Sequence, residues 1–423
     1  MILKFKFKNY KSFKNEVCLD LTAKKITEFS DSNFEIGNTK VLPVASIFGA
    51  NASGKSNVID AFRFMRKFVL DSLYEMVPER QGSNGRIRTK AMPFLFDDDM
   101  KNNTSKFETQ FVLIDDDTEK IYCFGFEVKD FCVKEEWLGC KSKTSREDFK
   151  NIYHRKEKKI EWRGIDSKII QNIEASLKDN VLIMTLGAML NEQLLKRILD
   201  FFRKTNIVNF GDVEEDYYIF LGHGYTRYVL YEKVQKEIAK YLNSFDNSII
   251  DISAEEHMFN MLGRDNEIYV YVHHKKKNST EVVKLPLGME SAGTQKMFHL
   301  YAFLQGSLME GNALMIDELN SKLHPFLIKS IVAMYLNKSV NKKNAQLIFT
   351  SHDIWQLKSG ILRRDEIWFT EKDEDSISNL YSLSDFVDKD GEKIRKDEDY
   401  LKHYVQRKYG AVPTLKGFDE VFG

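Results

Sequence analysis

Gly49-Ala50-Asn51-Ala52-Ser53-Gly54-Lys55-Ser56 decides how the rest of this chain is read. It fits G-x-x-x-x-G-K-[ST], the pattern of a phosphate-binding loop. Before it, Val44-Ala45-Ser46-Ile47-Phe48 is an apolar run long enough for a buried strand. After it, Asn57-Val58-Ile59-Asp60-Ala61-Phe62-Arg63-Phe64-Met65 places apolar residues at helical spacing. Strand, glycine loop and helix is the context the pattern needs. Loop N–H groups and the helix N-terminus then face an anion, with the positive end of the helix dipole behind them. Lys55 is placed to reach the β- and γ-phosphates, and the Ser56 hydroxyl to bind Mg²⁺. An ordinary glycine turn would not require all four fixed positions together with both flanks.

Downstream, Asn312-Ala313-Leu314-Met315-Ile316-Asp317-Glu318 is an apolar strand ending in two carboxylates. Alone that is a common accident; after a phosphate loop it reads as a Walker B strand. Asp317 is then expected to hold the Mg²⁺ shell and Glu318 to polarise the attacking water. The next strand, Ala345-Gln346-Leu347-Ile348-Phe349-Thr350, ends in Ser351-His352-Asp353. His352 would stand at the carboxyl end of the strand, where ligands bind in open α/β sheets. That position favours a γ-phosphate sensor over a structural histidine.

The 423 residues balance 63 basic against 63 acidic side chains, so net charge gives no global reason to expect nucleic-acid binding, and a local patch is left open. Cys18, Cys123, Cys132 and Cys140 form no C-x-x-C pair and have no histidine at zinc spacing. They read as reduced thiols of a cytoplasmic protein. No apolar run approaches the ~20 residues of a membrane span.

Along the chain, Leu3, Phe5 and Phe7 alternate with Lys4, Lys6 and Lys8, giving a strand with one wet face. A second strand follows around Glu16–Leu21, and polar residues from Thr22 to Lys40 suggest a loop. Pro78–Gly85 marks a flexible connection. Phe107–Ile114 and Lys120–Val128 read as a hairpin whose Asp115-Asp116-Asp117-Thr118 turn is solvated rather than metal-binding. From about Asp130 to Asp251 the chain reads as mostly helical, with strong periodicity over Ile169–Thr205 and no sustained heptads. The basic clusters Lys156–Lys159 and Lys275–Lys277 read as solvated turns, the second at the tip of a hairpin.

These motifs, in this order, resemble the ATP-binding cassette arrangement: the phosphate loop followed by Asn57, then Ser291-Ala292-Gly293-Thr294, Asp317-Glu318-Leu319 and Ser351-His352-Asp353. Within it the chain is similar to the SMC, RecF and OLD-like branch, and to AAA-type ATPases of bacterial abortive-infection systems. Asn9-Tyr10-Lys11-Ser12-Phe13, Leu323-His324-Pro325 and Tyr409-Gly410-Ala411-Val412-Pro413 carry that closer likeness. The resemblance implies an α/β fold, a cassette-type ATPase head of mixed sheet flanked by helices with an inserted helical lobe. It divides the chain into 1–129 with Walker A, a lobe at 130–251, and 252–423 with the remaining motifs. It implies ATP and Mg²⁺ as cofactors, with Gly49, Asn51, Gly54, Lys55, Ser56 and Asn57 at the nucleotide. Ser291 and Gly293 match the signature loop, which in that family contacts the γ-phosphate from the opposite subunit of a head-to-tail homodimer. Its sequence departs from L-S-G-G-Q at Ala292 and Thr294. Asn320-Ser321-Lys322 falls at the D-loop, which usually begins with aspartate, and no glutamine marks the Gln-loop. About seventy residues follow His352, too few for the Toprim nuclease of many OLD relatives, so an effector is expected on a separate chain. Three functions follow: an ATPase controlling an effector in phage defence, a RecF-type DNA-maintenance clamp, or a module using ATP as structural glue. Zero net charge and the missing coiled coil weigh against the second, and Glu318 against the third.

Overall fold

The computed structural model describes residues 1–73, 90–115, 118–211, 228–257, 267–358, 360, 362–387, 394–395 and 398–412. The Pro78–Gly85 connection, Asp116-Asp117 and Pro413 lie outside them. The fold is α/β. At its centre a six-stranded sheet has the order β11-β15-β16-β5-β17-β18. Its strands are β5 (Val44–Gly49), β11 (Asn206–Asn209), β15 (Ala313–Asp317), β16 (Gln346–Thr350), β17 (Ile367–Lys372) and β18 (Ser378–Ser382). The first five are parallel, and β18 turns back antiparallel to β17.

The central strands are buried on both faces, and their alternate residues divide two cores. Ala45, Ile47, Ala313, Met315 and Ile348 join one; Val44, Phe48, Leu314, Ile316, Leu347 and Phe349 join the other. This is why these strands read as unbroken apolar runs, as a parallel sheet covered by helices on both sides demands. The first core holds helix α1 (Lys55–Asp71). The second holds the long helix Ala292–Glu310 and the helix Pro325–Leu336, numbered α7 and α8 here.

A second, seven-stranded antiparallel sheet lies across α1, in the order β10-β9-β8-β7-β6-β1-β2. It comprises β1 (Ile2–Lys8), β2 (Val17–Asp20), β6 (Ser105–Asp115), β7 (Thr118–Lys129), β8 (Cys132–Ser142), β9 (Lys150–Lys156) and β10 (Lys159–Trp162). Its inner face meets α1 through aromatic rings: Phe5 with Phe62 at 5.0 Å and Phe107 with Phe64 at 4.8 Å. Helix α1 is therefore enclosed between two sheets. Gln346, buried at the start of β16, ties them together. Its amide accepts from Ile2 N at 2.7 Å and donates to Ile2 O at 2.9 Å and Leu42 O at 3.2 Å.

Two expectations need correction. The stretch from Thr22 to Lys40 is not all loop: β3 (Phe34–Ile36) and β4 (Thr39–Val41) form a hairpin. Its Phe34, Ile36 and Val41 pack on Leu3, Val112 and Ile121. The stretch from 130 to 251, expected to be mostly helical, opens with β8–β10, which extend the seven-stranded sheet, and later supplies β11 to the central one. Glu136 explains why β8 was hidden. It puts a carboxylate at a fully buried position, where alternation calls for an apolar residue. That carboxylate accepts from Ile183 N at 2.7 Å and Met184 N at 3.0 Å, at the start of α4 (Ile183–Met189), and from the Tyr153 hydroxyl at 2.8 Å. It clasps α4 to the sheet, and the helices Ser167–Ser176 (α3) and Gln193–Lys204 (α5) join the same core through Ile173, Leu195, Ile198, Leu199 and Phe202. Burial still pushes its carboxyl above the usual range.

The hairpin expected around Lys275–Lys277 is present, as β13 (Glu267–Lys275) and β14 (Val282–Pro286). With β12 (Ile249–His257) they make a small sheet beside the helix Glu232–Asn243, and Tyr241 of that helix reaches Tyr301 of α7 at 5.2 Å between ring centroids. No helix among the described residues is long and apolar enough to cross a membrane.

Candidate functional site

Strand β5 delivers the loop and α1 leaves it at Lys55. Two glycines make the close approach. Gly49 has φ +153°, and a Cβ there would stand 2.4 Å from the Thr370 carbonyl oxygen. Gly54 has φ +110°, and its Cβ would stand 2.7 Å from Ser378 Oγ. The wall behind the loop is thus β17–β18, to which Ser53 is bonded through Thr370 Oγ1 at 2.6 Å. Glycine at Gly54 caps α1 with no side-chain hydrogen bond, so the first-turn N–H groups stay available to an anion.

Lys55 is 4% exposed. Its Nζ donates to Gly49 O and Ala50 O, both at 2.9 Å, which bends the loop around the ammonium. Burial lowers its pKa to about 8, against the opposing pull of Glu318 and Asp317. Asn51 and Ser56 are exposed, in the loop and the first turn of α1. Asn57 points elsewhere: its amide donates to Ser12 Oγ at 2.8 Å, and Ser378 Oγ donates to the same oxygen at 2.8 Å. The Asn9–Phe13 turn therefore braces the loop from behind, a part not legible in the motif itself.

The carboxylates sit one strand away. Asp317 ends β15 and is 6% exposed. Thr350, at the end of β16, donates to Asp317 Oδ1 at 2.5 Å and accepts from Glu318 N at 2.8 Å. One hydroxyl thus fixes both acids; the pattern that finds Asp-Glu says nothing of it. Glu318 has φ +56°, which turns its side chain off the strand line. Its Oε1 lies 3.0 Å from His352 Nε2. That hydrogen bond, helped by the charges of Lys55 and Lys296, holds the Glu318 carboxyl below its usual range against burial. The His352 backbone is itself held, its main-chain N–H donating to Asn320 Oδ1 at 2.9 Å.

Ser291 caps α7, its Oγ accepting from Thr294 N at 3.1 Å. It is exposed, and among the described residues its side-chain hydrogen bonds stay within that turn. Gly293 lies against the loop after β15, where an added Cβ would be 3.3 Å from Lys322 O. So Lys55, Asp317, Glu318 and His352 converge within one chain, while Ser291 and Gly293 stand at an open turn. Lys296 links the two regions. It is 5% exposed, donates to Leu319 O at 3.2 Å and to Ser321 O, and stands 4.2 Å from the Phe210 ring centroid. Its only sequence signal is a lysine on an otherwise buried helical stripe.

Strand β11 brings one more polar strand end beside the carboxylates. It runs parallel to β15 and ends at Asn209, in register with Asp317. Phe210 N donates to Asp317 O at 3.0 Å, and a Cβ on Gly211 would be 3.2 Å from Glu318 Cγ. The Asn209 side chain is used within its own turn, its Oδ1 accepting from Gly211 N at 2.9 Å.

The described residues hold no cluster of three or more histidine, cysteine or acidic side chains suited to a metal ion by themselves. Ser56 and Asp317 fit Mg²⁺ of the kind that arrives with phosphates and keeps several waters. No curated protein matches the chain. Among solved structures, it is similar to the crystal structure of the SmcHead bound to the C-winged helix domain of ScpA. That likeness has 16% identity and a TM-score of 0.40, over 90% of this chain and 97% of the other. The family model described as an AAA domain, putative AbiEii toxin of a type IV toxin–antitoxin system, matches residues 44–354. That match runs from the strand before the phosphate loop to just past His352. The chain belongs to this family of P-loop AAA domains.

Proposed function

We propose that the chain is an ATPase that binds ATP on Gly49–Ser56 and completes each site with Ser291 and Gly293 of a second copy. The observation that carries this reading is the triad of Lys55, Glu318 and His352 about one loop, with Glu318 held ionised and His352 3.0 Å from it. The loop N–H groups and Lys55 hold the phosphates. Glu318 accepts the proton of the attacking water as it adds to the γ-phosphorus, and the bond from that phosphorus to the β–γ bridging oxygen breaks. ADP leaves with the bridging oxygen, and His352 donates to the γ-phosphate oxygens. Ser56 and Asp317 would hold Mg²⁺, which supplies charge neutralisation at the β- and γ-phosphates. Asn51 lies in the loop beside the nucleotide.

Ser291 is exposed at a helix N-terminus, as a residue serving another copy's nucleotide would be. A two-fold pair then contains two composite sites. We place the protein in the cytoplasm, since its cysteines are unpaired. ATP-dependent pairing controls a separate effector chain in phage defence, a role suited to a family named for a putative toxin of a toxin–antitoxin system. The test mixes Lys55→Ala with Ser291→Arg. Each variant alone should be inactive, and the mixture should regain up to about half the activity per dimer, because one site carries both lesions and the other neither. Full activity in Ser291→Arg alone refutes the composite site.

A further inference from the structure

The β3–β4 hairpin does more than cover a sheet. Where it docks on the outer face of the seven-stranded sheet it roofs a cleft of about 630 Å³. Lys4, Lys24, Lys25, Lys40, Lys141 and Lys143 line it, and none of its lining residues is acidic. In a chain with equal numbers of basic and acidic side chains, that is a strong local asymmetry.

We propose that this cleft binds a small, multiply phosphorylated ligand. The volume lies within the range of pockets for single small molecules, about 300–1,000 Å³. Four of the lysines have carboxylate partners: Lys4 with Asp20, Lys24 with Asp385, Lys40 with Glu35 and Lys143 with Glu119. Every one of those side chains keeps a quarter or more of its surface in solvent. Exposed pairs of that kind are weak and screened by solvent, so an anion with several charges can draw the ammonium groups to itself. Lys141 stands 4.6 Å from the Phe149 ring centroid, which presents it from the β8 side. The site is distinct from the phosphate loop, and none of the residues placed there lines it.

The experiment uses the full chain carrying Lys55→Ala, so that the phosphate loop does not compete. Calorimetric titration with inorganic tripolyphosphate should show binding at low salt. Adding Lys25→Glu and Lys40→Glu should weaken it at least about tenfold, with a shallower salt dependence, while Lys25→Arg with Lys40→Arg should retain it. Circular dichroism checks that all variants are folded. The proposal is overturned if tripolyphosphate does not bind, or if charge reversal leaves its affinity unchanged. It is equally overturned if a single strand of about 12 nucleotides outcompetes tripolyphosphate through the same lysines, which would make the cleft a nucleic-acid groove.

Discussion

Nucleotide binding should take up a proton through Lys55, and the amount is set by the burial of that side chain. In the empty loop Lys55 titrates at about 8, lowered by desolvation. A triphosphate surrounds the ammonium with negative charge and drives its pKa well above that. Below pH 7 the group is charged with or without ligand, so Lys55 itself takes up no proton there. At pH 9 the free protein has Lys55 about one-tenth protonated and the complex almost fully so, an uptake of about 0.9 proton per site. The Lys55 share of the affinity should therefore be flat below pH 7, and affinity should fall by nearly tenfold per pH unit above about 8.5. The phosphates do not confuse the reading, because a phosphate second pKa near 6 leaves them fully ionised there. Calorimetry at pH 9 in two buffers of different ionisation enthalpy counts the protons. Lys55→Arg is the control, since an arginine stays charged and should abolish the uptake. Folding gives a second readout of the same group. Its folded pKa lies below the unfolded 10.5, so the unfolded chain binds more protons between about 8 and 10.5, and this group's share of stability rises with pH there. Uptake below about 0.2 proton at pH 9, or unchanged uptake in Lys55→Arg, would refute the reasoning.

Three further outcomes are expected. Glu318→Gln should keep nucleotide affinity and lose about 10²–10⁴ in turnover, measured as phosphate release; a rate equal to wild type would make Glu318 a spectator. Thr350→Val removes the hydroxyl shared by Asp317 and Glu318 N. It should raise the Mg²⁺ concentration needed for half-maximal turnover several-fold while the fold is retained, and an unchanged Mg²⁺ curve counts against its orienting role. Glu136→Ala strands two backbone donors and the Tyr153 hydroxyl. Urea unfolding should show a loss on the order of 3–5 kcal/mol, and a loss under about 1 kcal/mol would show that the clasp is not needed.

The phosphate loop and the two strands ending at Asp317 and Thr350 were legible because each obeys one strong local rule. Glycine is forced where a Cβ would strike Thr370 or Ser378, and a strand covered on both sides must be apolar throughout. What escaped was residue chemistry decided by distant partners. β8 carries Glu136 in its core because α4 supplies the hydrogen bonds, a fact about residues 183–184. The β3–β4 hairpin is short and polar, and only Leu3, Val112 and Ile121 give its apolar residues a place to pack. Asn209 carries no motif, and its position beside Asp317 exists only once β11 has paired with β15. Thr350 and Lys296 acquire meaning the same way. The identities of the chemical groups could be read in the sequence, but their supports could not.

Strand β5 has a consequence for how the protein is made. Its two neighbours in the sheet, β16 and β17, arrive some three hundred residues later in the chain. A ribosome adds about 5–20 residues per second, so Val44–Gly49 and the loop it carries wait many seconds with both edges bare. An unpaired strand that is apolar but for Ser46 is a template for sticking to other chains. Pairing over so long a separation is also slow once synthesis ends. Nascent chains of this protein should therefore depend on chaperones until residue 372 has emerged, and fragments ending before β16 should aggregate rather than bind nucleotide.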